Sequence, residues 1–357
     1  MSALAERIAA EIADRGPITV ARFMEMALTE PDLGYYMTRD PFGTEGDFTT
    51  APEISQMFGE MIGLWAVVTW EAMGSPAPFV LAELGPGRGT LMADALRAAR
   101  LRPQFIAAAR IALVESSPAL RARQKTTLAG HAPDWFDRFE DLPGGPMILL
   151  ANEFFDALPV RQFVRRGAAW HERLVDAAEG HFRFVTGAPV ARDDLPTVAD
   201  EDAIAELNEA GTVLAHAIGR RLAVQGGAAV AIDYGHAMSA AGETLQAVRA
   251  HDYADPLTDP GSADITAHVD FAALARAAQA AGAQTFGPVP QGWFLAALGI
   301  LRRAERLAEG KDDKSRAVIE TALKRLIAPS EMGNLFKVLA IAAPGMTAPA
   351  GFEAPAP

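Results

Sequence analysis

Cysteine is absent from the 357 residues of this sequence. Its absence excludes disulfide bonds, thiolate zinc sites and cysteine nucleophiles. The seven histidines also lack the spacing of metal ligands, such as H-E-x-x-H, so we expect no metal site. No apolar run reaches about 18 residues without a charged residue, and we therefore expect no membrane span.

Basic residues are scarce relative to acidic ones. The sequence has 32 Lys and Arg against 45 Asp and Glu, with a formal net charge of -13 and a pI near 5.0. Because phosphate binding needs a basic face, this balance argues against a nucleic-acid partner and fits a basic or neutral substrate. Half of the residues are hydrophobic, which predicts a substantial buried core in one large or two ordinary domains.

The N-terminal segment gives an expectation about location. Residues 3–14 have apolar positions at helical spacing and carry acidic side chains, which are not typical of a signal or transit peptide. The high alanine content is typical of GC-rich bacterial coding. We therefore expect a cytoplasmic bacterial protein.

The segment FVLAELGPGRGT (79–90) predicts a strand, a tight glycine turn and the start of a helix. Glu83 ends the apolar run, and Gly85, Gly87 and Gly89 follow at every second position. Such a turn lets the backbone approach a nucleotide-like ligand closely. The segment lacks the G-x-G-x-x-G of dinucleotide sites and the Lys-Ser/Thr of phosphate loops, and its acid suits a cationic ligand. It resembles the S-adenosylmethionine (SAM) loop of class I methyltransferases; a purely structural turn is the alternative.

A second buried strand is expected over residues 110–115, and it ends in Glu115. In doubly wound sheets, the acid at this place accepts hydrogen bonds from ribose hydroxyls. Glu115 lies 30 residues after Gly85, beyond the usual spacing of about 20 but within reach of one crossover helix. The alternative is a charge at the N-terminus of the helix that Ser116, Ser117 and Pro118 open.

Polar side chains follow the strand expected over residues 147–151. Asn152, Glu153 and Asp156 would face the same crevice as Glu83, because ligands bind beyond the carboxyl ends of parallel strands. Polar groups at the end of a buried strand are costly to place without a purpose. We therefore expect Asn152 at the cofactor and the two acids at the reacting groups.

The rest of the chain predicts further strands, an insertion and two unperiodic stretches, 34–52 and 236–264. Period-two alternation indicates an antiparallel meander over about 160–190. The unperiodic residues 34–52 are either a lid or a surface connection. Asp264 or Thr266 is expected to cap a helix over 267–281 that carries His268. Other strands are expected over 136–142, 228–235, 284–289 and 336–342, and other helices over 18–29 (opened by Pro17), 53–73, 119–129, 203–223, 290–308 and 313–327.

Five blocks stand in order along the chain: Glu-Gly-Asp-Phe-Thr-Thr-Ala-Pro-Glu-Ile-Ser (45–55), Glu-Leu-Gly-Pro-Gly-Arg-Gly (83–89), Ala-Asn-Glu-Phe-Phe-Asp-Ala-Leu-Pro-Val (151–160), Ile-Asp-Tyr-Gly (232–235) and Asp-Ile-Thr-Ala-His-Val-Asp-Phe (264–271). Together they resemble the MidA-type protein arginine methyltransferases. The resemblance extends from about residue 5 to residue 342. It implies SAM as the cofactor and an assembly factor for respiratory complex I. The implied activity is symmetric dimethylation of an arginine on a subunit similar to the bacterial NuoD chain of NADH dehydrogenase.

The expected fold is α/β, a class I SAM-dependent methyltransferase with a Rossmann-like, seven-stranded sheet, an inserted antiparallel β/helical subdomain and an N-terminal helical extension. The expected domains are N-terminal helices and lid loop (1–52), a methyltransferase domain (53–342) with insertions at about 160–200 and 290–330, and a flexible tail (343–357).

Carboxylates are the expected catalytic groups, because guanidinium is protonated and delocalised and needs acids to localise its charge. Glu153 and Asp156 would hold the arginine, and Asp233, Asp264 or His268 would assist or accept the proton. A structural cap is the alternative for Asp233, and a satisfied structural histidine for His268. Two other functions stay open: a small-molecule or non-arginine methyltransferase, and a non-catalytic SAM-binding assembly chaperone.

Overall fold

The computed structural model describes residues 2–38, 50–249 and 251–353. The chain divides into two compact units. The first unit comprises Met1–Phe48, Asp156–Thr212 and Met238–Asp270; the second comprises Thr49–Phe155, Val213–Ala237 and Phe271–Pro357. Most of the lid expected over 34–52 falls on residues 39–49, which lie outside the described residues. No helix within the described ranges is both long and apolar enough to cross a membrane.

The second unit is built on a seven-stranded sheet, with strands numbered here in chain order. They are β1 (Phe79–Leu84), β2 (Ala109–Val114), β3 (Asp134–Phe136), β4 (Met147–Asn152), β5 (Gly227–His236), β6 (Gln284–Pro290) and β7 (Phe336–Ala342). Their spatial order is β3-β2-β1-β4-β5-β7-β6. The first five strands are parallel, and β7 is antiparallel to both β5 and β6. This is the doubly wound sheet expected from the sequence.

The central strands form because their apolar runs are unbroken. All six residues of β1 and all six of β4 are buried, as expected for parallel strands covered on both faces. Helices connect and cover them: Gln56–Ala72, Thr90–Ala99, Pro103–Ala108, Pro118–Thr127, Glu209–Gln225 and Phe271–Ala280. Two of these helices touch closely, since a Cβ added at Gly63 would lie 2.5 Å from the carbonyl oxygen of Ala95. The helix Thr90–Ala99, which follows the glycine loop, is therefore held in position by close packing against the helix Gln56–Ala72.

Four helices lie between β6 and β7: Gln291–Ala297, Ile300–Ala308, Asp313–Ile327 and Met332–Leu335. One helix was expected over 290–308, but Gly299, with φ +93°, ends the first segment and begins the second. Buried Glu60 ties this region to the helix after the glycine loop, because its carboxylate accepts from Arg97 at 3.1 Å and from Arg303 at 2.6 Å.

The first unit combines helices with two small sheets. Its helices are Ala3–Arg15, Val20–Thr29 and Tyr35–Thr38. The larger sheet contains the expected meander, Arg161–Arg166, Ala169–Ala178 and His181–Val190, together with Ile18–Thr19 and Ile204–Leu207. The smaller sheet contains Gln246–Arg249, Asp252–Ala254 and Asp264–Thr266. Apolar residues of the two N-terminal helices and of both sheets form one core here.

Two predictions about the site segments were wrong. Asp264–Thr266 is a buried strand and caps no helix, because it pairs with Gln246–Val248. The following helix begins only at Phe271, so His268 lies in a connection. The strand expected over 136–142 lies earlier in the chain: β3 ends at Phe136, and Phe139–Asp141 form a single 3₁₀ turn.

Several expected helix boundaries also differ. Pro17 does not open the second helix: Ile18 and Thr19 pair with the meander, and Thr19 caps a helix that begins at Val20. The helix expected over 53–73 is divided at extended Ser55 into Ala51–Ile54 and Gln56–Ala72. The expected helix over 203–223 begins at Glu209, since Ile204–Leu207 pair with Arg161–Val164.

The described part of the expected flexible tail is packed. The ring centroid of Phe352 lies 5.4 Å from that of Phe294, and Gly351 is buried. A Cβ at Gly351 would come within 2.6 Å of the Phe294 ring. Aromatic contact and close backbone packing therefore hold residues 343–353 on the second unit.

Candidate active site

The glycine loop directly follows β1. Gly85, Gly87 and Gly89 all have positive φ, at +56°, +51° and +81°, a backbone region that glycine adopts at little cost. Gly89 stands at the N-cap of the helix Thr90–Ala99, and no side chain of the described residues caps this helix. The loop thus presents the positive end of a helix and its first N–H groups to a ligand.

The loop passes very close to the end of β4. A Cβ added at Gly85 would lie 2.8 Å from Cδ2 of Phe154, so both the backbone angle and the available space require glycine here. Gly85 N–H also donates to the carbonyl oxygen of Val114 in β2, at 3.0 Å. The carboxyl ends of three neighbouring strands therefore fix the position of this turn.

Glu83 provides a buried carboxyl at the end of β1. Glu83 is 2 % exposed, and its Oε2 has no hydrogen-bond partner within the described part of the chain. Burial, and to a lesser degree the charge of Glu115, raises the pKa of Glu83 to about 8. A buried acid with an unsatisfied oxygen is costly unless a ligand supplies a donor or a positive charge.

Glu115 directly follows β2 and is also buried. Its Oε1 accepts from the N–H of Ser117 at 2.8 Å, and its Oε2 accepts from the side-chain amide of Gln124 at 3.1 Å. Burial raises the pKa of Glu115, and these two hydrogen bonds act in the opposite direction. Because Ser117 caps the next helix, the helix-terminus alternative is realised, and it leaves the predicted ribose role of Glu115 open.

Gln124 is a site residue that sequence reasoning missed. It is fully buried, and its Nε2 donates both to Glu115 and to the carbonyl oxygen of Gly87 at 2.7 Å. Its Oε1 accepts from the indole N–H of Trp135 at 2.8 Å. A signal was present: Leu120 and Gln124 stand four residues apart on one face of an otherwise polar helix, which places a glutamine where an apolar side chain is expected.

The end of β4 carries two of the predicted polar residues. Asn152 is buried and donates from Nδ2 to Oε1 of Glu153 at 3.0 Å. The same oxygen of Glu153 accepts from the N–H of Ala51 at 2.9 Å. Glu153 adopts φ +49°, a rare angle for a residue with a side chain, and such outliers are enriched at functional sites.

Asp233 holds the backbone around Glu153 in place. It is 1 % exposed, and its Oδ2 accepts from the N–H groups of Phe154 and Phe155 at 3.1 and 3.0 Å. Its Oδ1 accepts from the N–H of Tyr234 at 3.0 Å. These bonds match the structural alternative stated for Asp233, and a proton-accepting role stays a prediction.

Asp156, Asp264 and His268 belong to the first unit. Asp264 accepts from the hydroxyl of Tyr36 at 2.8 Å. Burial and the charges of Asp264 and Asp156 raise the pKa of Tyr36 well above its ordinary value. The carbonyl oxygen of Asp156 accepts from the N–H of Ala267 at 3.0 Å, so these segments are adjacent. Tyr36 lies in the unperiodic stretch 34–52 and is not among the site residues predicted from the sequence.

The six predicted cofactor residues all lie in the second unit, at the carboxyl ends of β1, β2 and β4. Together they offer an acid for a cation, N–H groups for an anion, and a second acid for hydroxyl groups. This donor set suits an amino acid joined to a nucleoside, which is the chemical form of SAM. Within the described residues, no group of three or more His, Asp or Glu side chains is placed to hold a metal ion.

Comparison with known proteins places this geometry in a family. Residues 61–289 match the family model described as "Putative S-adenosyl-L-methionine-dependent methyltransferase". The chain is 38 % identical to "Protein arginine methyltransferase NDUFAF7 homolog, mitochondrial" of Drosophila melanogaster, over 95 % of this chain and 84 % of that protein. It is 36 % identical to "Protein arginine methyltransferase NDUFAF7, mitochondrial" of Homo sapiens, over 93 % and 81 %. The chain also superposes on the crystal structure of a protein from Burkholderia thailandensis bound to S-adenosyl-homocysteine. The TM-score is 0.86 at 31 % identity, over 99 % of this chain and 95 % of that one.

Proposed function

Since this chain belongs to the S-adenosyl-L-methionine-dependent methyltransferase family, we propose that it methylates an arginine side chain of a protein. Two relatives that match nearly all of the chain are named protein arginine methyltransferases. The single observation that carries the cofactor half of the proposal is the buried Oε2 of Glu83, which has no partner among the described residues and lies beside a glycine loop with left-handed angles.

The cofactor residues have separate tasks. Glu83 would pair with the α-ammonium of the cofactor, the first N–H groups after Gly89 would bind its carboxylate, and Glu115 would accept hydrogen bonds from the ribose hydroxyls. Gly85 and Gly87 let the backbone approach the ligand without side-chain interference. Asn152, whose Oδ1 has no partner in the described ranges, supplies a further acceptor. When bound, SAM supplies a methyl group on a sulfonium, which transfers in one in-line displacement.

Glu153 is the proposed acceptor for the arginine. Transfer to a guanidinium needs positioning more than acid–base strength, and a carboxylate that pairs with one edge of the guanidinium localises charge and aligns the far nitrogen. Asn152, Ala51 and Asp233 fix the orientation of Glu153 and of the backbone that follows it. The proton that the guanidinium loses on methylation is taken up by a carboxylate or by water.

The finer details of the substrate are part of the proposal. We propose symmetric dimethylation of an arginine on a NuoD-like subunit of NADH dehydrogenase, in support of complex I assembly. The names of the mitochondrial relatives support arginine as the methylated residue. The symmetric product, the NuoD-like subunit and the assembly role follow from the resemblance of the five sequence blocks. The alanine-rich composition supports a bacterial source, and a cytoplasmic location is part of the proposal.

The proposal is tested by methylation of a lysate from cells that lack the gene. The purified protein is incubated with the lysate and methyl-labelled SAM, and the label is followed into protein and metabolite fractions. We expect label in one protein band, recovered after hydrolysis as dimethylarginine. Label only in metabolites would identify a small-molecule methyltransferase, and binding of SAM without any transfer would identify an assembly chaperone.

Glu153→Gln is expected to lower the methylation rate at least 100-fold while the affinity for S-adenosyl-homocysteine stays within about threefold of wild type. The reason is that the amide keeps the shape of the side chain but loses the charge that pairs with guanidinium. Glu179→Gln is the matched control, because Glu179 also has a positive φ, +54°, but lies in an exposed turn of the meander. Loss of cofactor affinity in Glu153→Gln would instead assign Glu153 to the cofactor.

A further inference from the structure

We propose that Gln124 is a positioning residue of the cofactor site: a single buried amide holds the glycine loop and the Glu115 carboxylate in the arrangement that receives the two halves of the cofactor. The inference rests on the cofactor half of the proposed function. It does not depend on the identity of the methylated substrate.

Every polar group of the Gln124 side chain is in use. Its Nε2 has two hydrogens and two acceptors, the carbonyl oxygen of Gly87 at 2.7 Å and Oε2 of Glu115 at 3.1 Å. Its Oε1 accepts from Trp135 Nε1 at 2.8 Å. The orientation of the amide is fixed by these partners, since a flipped amide would face two acceptors with its oxygen and a donor with its nitrogen.

The contact with the glycine loop extends along the side chain. A Cβ added at Gly89 would lie 3.5 Å from Cγ of Gln124, so the stem of the glutamine packs under the last glycine while its amide bonds the middle one. Three glycines with left-handed angles have many alternative conformations in isolation. A buried bond to the carbonyl of Gly87 removes much of this freedom.

The contact with Glu115 fixes the other half of the site. The N–H of Ser117 holds one carboxylate oxygen and Gln124 holds the other, so the carboxylate plane is set before a ribose arrives. Apolar packing alone would favour leucine or methionine at a fully buried helical position. The amide is therefore explained by the three bonds it makes, which join elements that carry different parts of one ligand.

Gln124→Met tests the inference, because methionine has a similar length and volume but no strong donor. We expect its dissociation constant for S-adenosyl-homocysteine, measured by calorimetry, to rise at least tenfold. In steady-state assays the KM for SAM should rise by a similar factor with kcat within about twofold of wild type.

Gln291→Met is the matched control. Gln291 is also 0 % exposed, lies in the same unit, and donates to the carbonyl oxygen of Leu326. Gln124→Met should lose more thermal stability, because three partners lose a bond instead of one. At a temperature where both variants are folded, only Gln124→Met should lose affinity for S-adenosyl-homocysteine.

Gln124→Glu gives a second readout that a purely structural role would not produce. The ionised carboxylate cannot donate to Gly87 or Glu115, whereas the protonated form restores one donor. The ratio of its dissociation constant to that of wild type at the same pH should fall at least fivefold between pH 8 and pH 5.5.

Equal affinity of wild type and Gln124→Met, within twofold, or wild-type affinity of Gln124→Glu at both pH 8 and pH 5.5, would overturn the inference alone. A folded wild-type protein that does not bind S-adenosyl-homocysteine would overturn the inference together with the cofactor half of the proposed function.

Discussion

Gly85→Val is expected to abolish binding of S-adenosyl-homocysteine, with a loss of more than 100-fold. Valine is β-branched and strongly disfavours the φ of +56° that Gly85 adopts. Its Cβ would also lie 2.8 Å from the Phe154 ring, so the turn and the end of β4 must both shift. The measurement is a calorimetric titration of the folded variant with S-adenosyl-homocysteine.

The control for Gly85→Val is Gly74→Val. Gly74 has a φ of +82° in the same unit, but a Cβ there meets no atom within 4 Å. This variant should lose stability through backbone strain and still bind the ligand with wild-type affinity. Binding by Gly85→Val within tenfold of wild type would contradict the role of the loop as the seat of the cofactor.

Glu83→Gln is expected to lower the affinity for S-adenosyl-homocysteine at least 50-fold at pH 8.5 and, at the same pH, to stabilise the protein. The amide keeps the shape of Glu83 but cannot pair with the ligand ammonium. The stability gain has the same origin as the function, since the buried carboxylate is costly without its ligand.

The pH dependence of this gain has a definite sign. The pKa of Glu83 rises from its ordinary value of 4.5 to about 8 in the folded protein, so between these pH values the folded protein binds more protons than the unfolded chain. The contribution of Glu83 to stability therefore falls as pH rises from about 4.5 to 8. Each pKa unit corresponds to about 1.4 kcal/mol, so the rise from 4.5 to about 8 sets an upper bound of about 5 kcal/mol on the gain. We therefore expect urea unfolding at pH 8.5 to show Glu83→Gln as clearly more stable than wild type.

The opposite outcome is informative as well. Suppose that Glu83→Gln is no more stable than wild type at pH 8.5, and that its stability relative to wild type stays the same at pH 5. This result would show that Glu83 is ionised and satisfied in the free protein. The assignment of its carboxylate to the ligand ammonium would then be wrong.

The elements that could be predicted from sequence are those whose signals are local. The unbroken apolar runs of β1 and β4 indicate strands that are buried on both faces of a parallel sheet. Three glycines at alternate positions, Gly85, Gly87 and Gly89, indicate a turn with left-handed backbone angles. The acids that follow parallel strands could be placed at one edge of the sheet for the same reason. Glu83, Glu115 and Asn152 are found there.

The elements that were missed depend on distant partners. Asp264 and Thr266 carry a local capping signal, but pairing with Gln246–Val248 prevails because it satisfies the backbone of a buried segment. Nothing in the local sequence shows that a strand lies opposite. Tertiary pairing overrode a local preference in the same way at Ile18 and Thr19.

Gln124 is the clearest example of a site residue that could not be predicted from the sequence. Its three partners come from the glycine loop, the end of β2 and β3, and the bond to Gly87 joins residues 37 positions apart. Side-chain bonds over such separations cannot be read from periodicity. Asp233 is similar, because its bonds to Phe154 and Phe155 join the ends of two neighbouring strands.

The most direct test of the account is a calorimetric titration of the wild-type protein with S-adenosyl-homocysteine at pH 8.5 and pH 6.5. We expect micromolar binding at pH 8.5 and binding at least about tenfold weaker at pH 6.5, because the ligand ammonium selects the ionised form of Glu83, whose pKa is about 8. Binding at pH 6.5 should also release close to one proton, visible as a heat that depends on the buffer. A folded protein that does not bind at either pH would contradict the account.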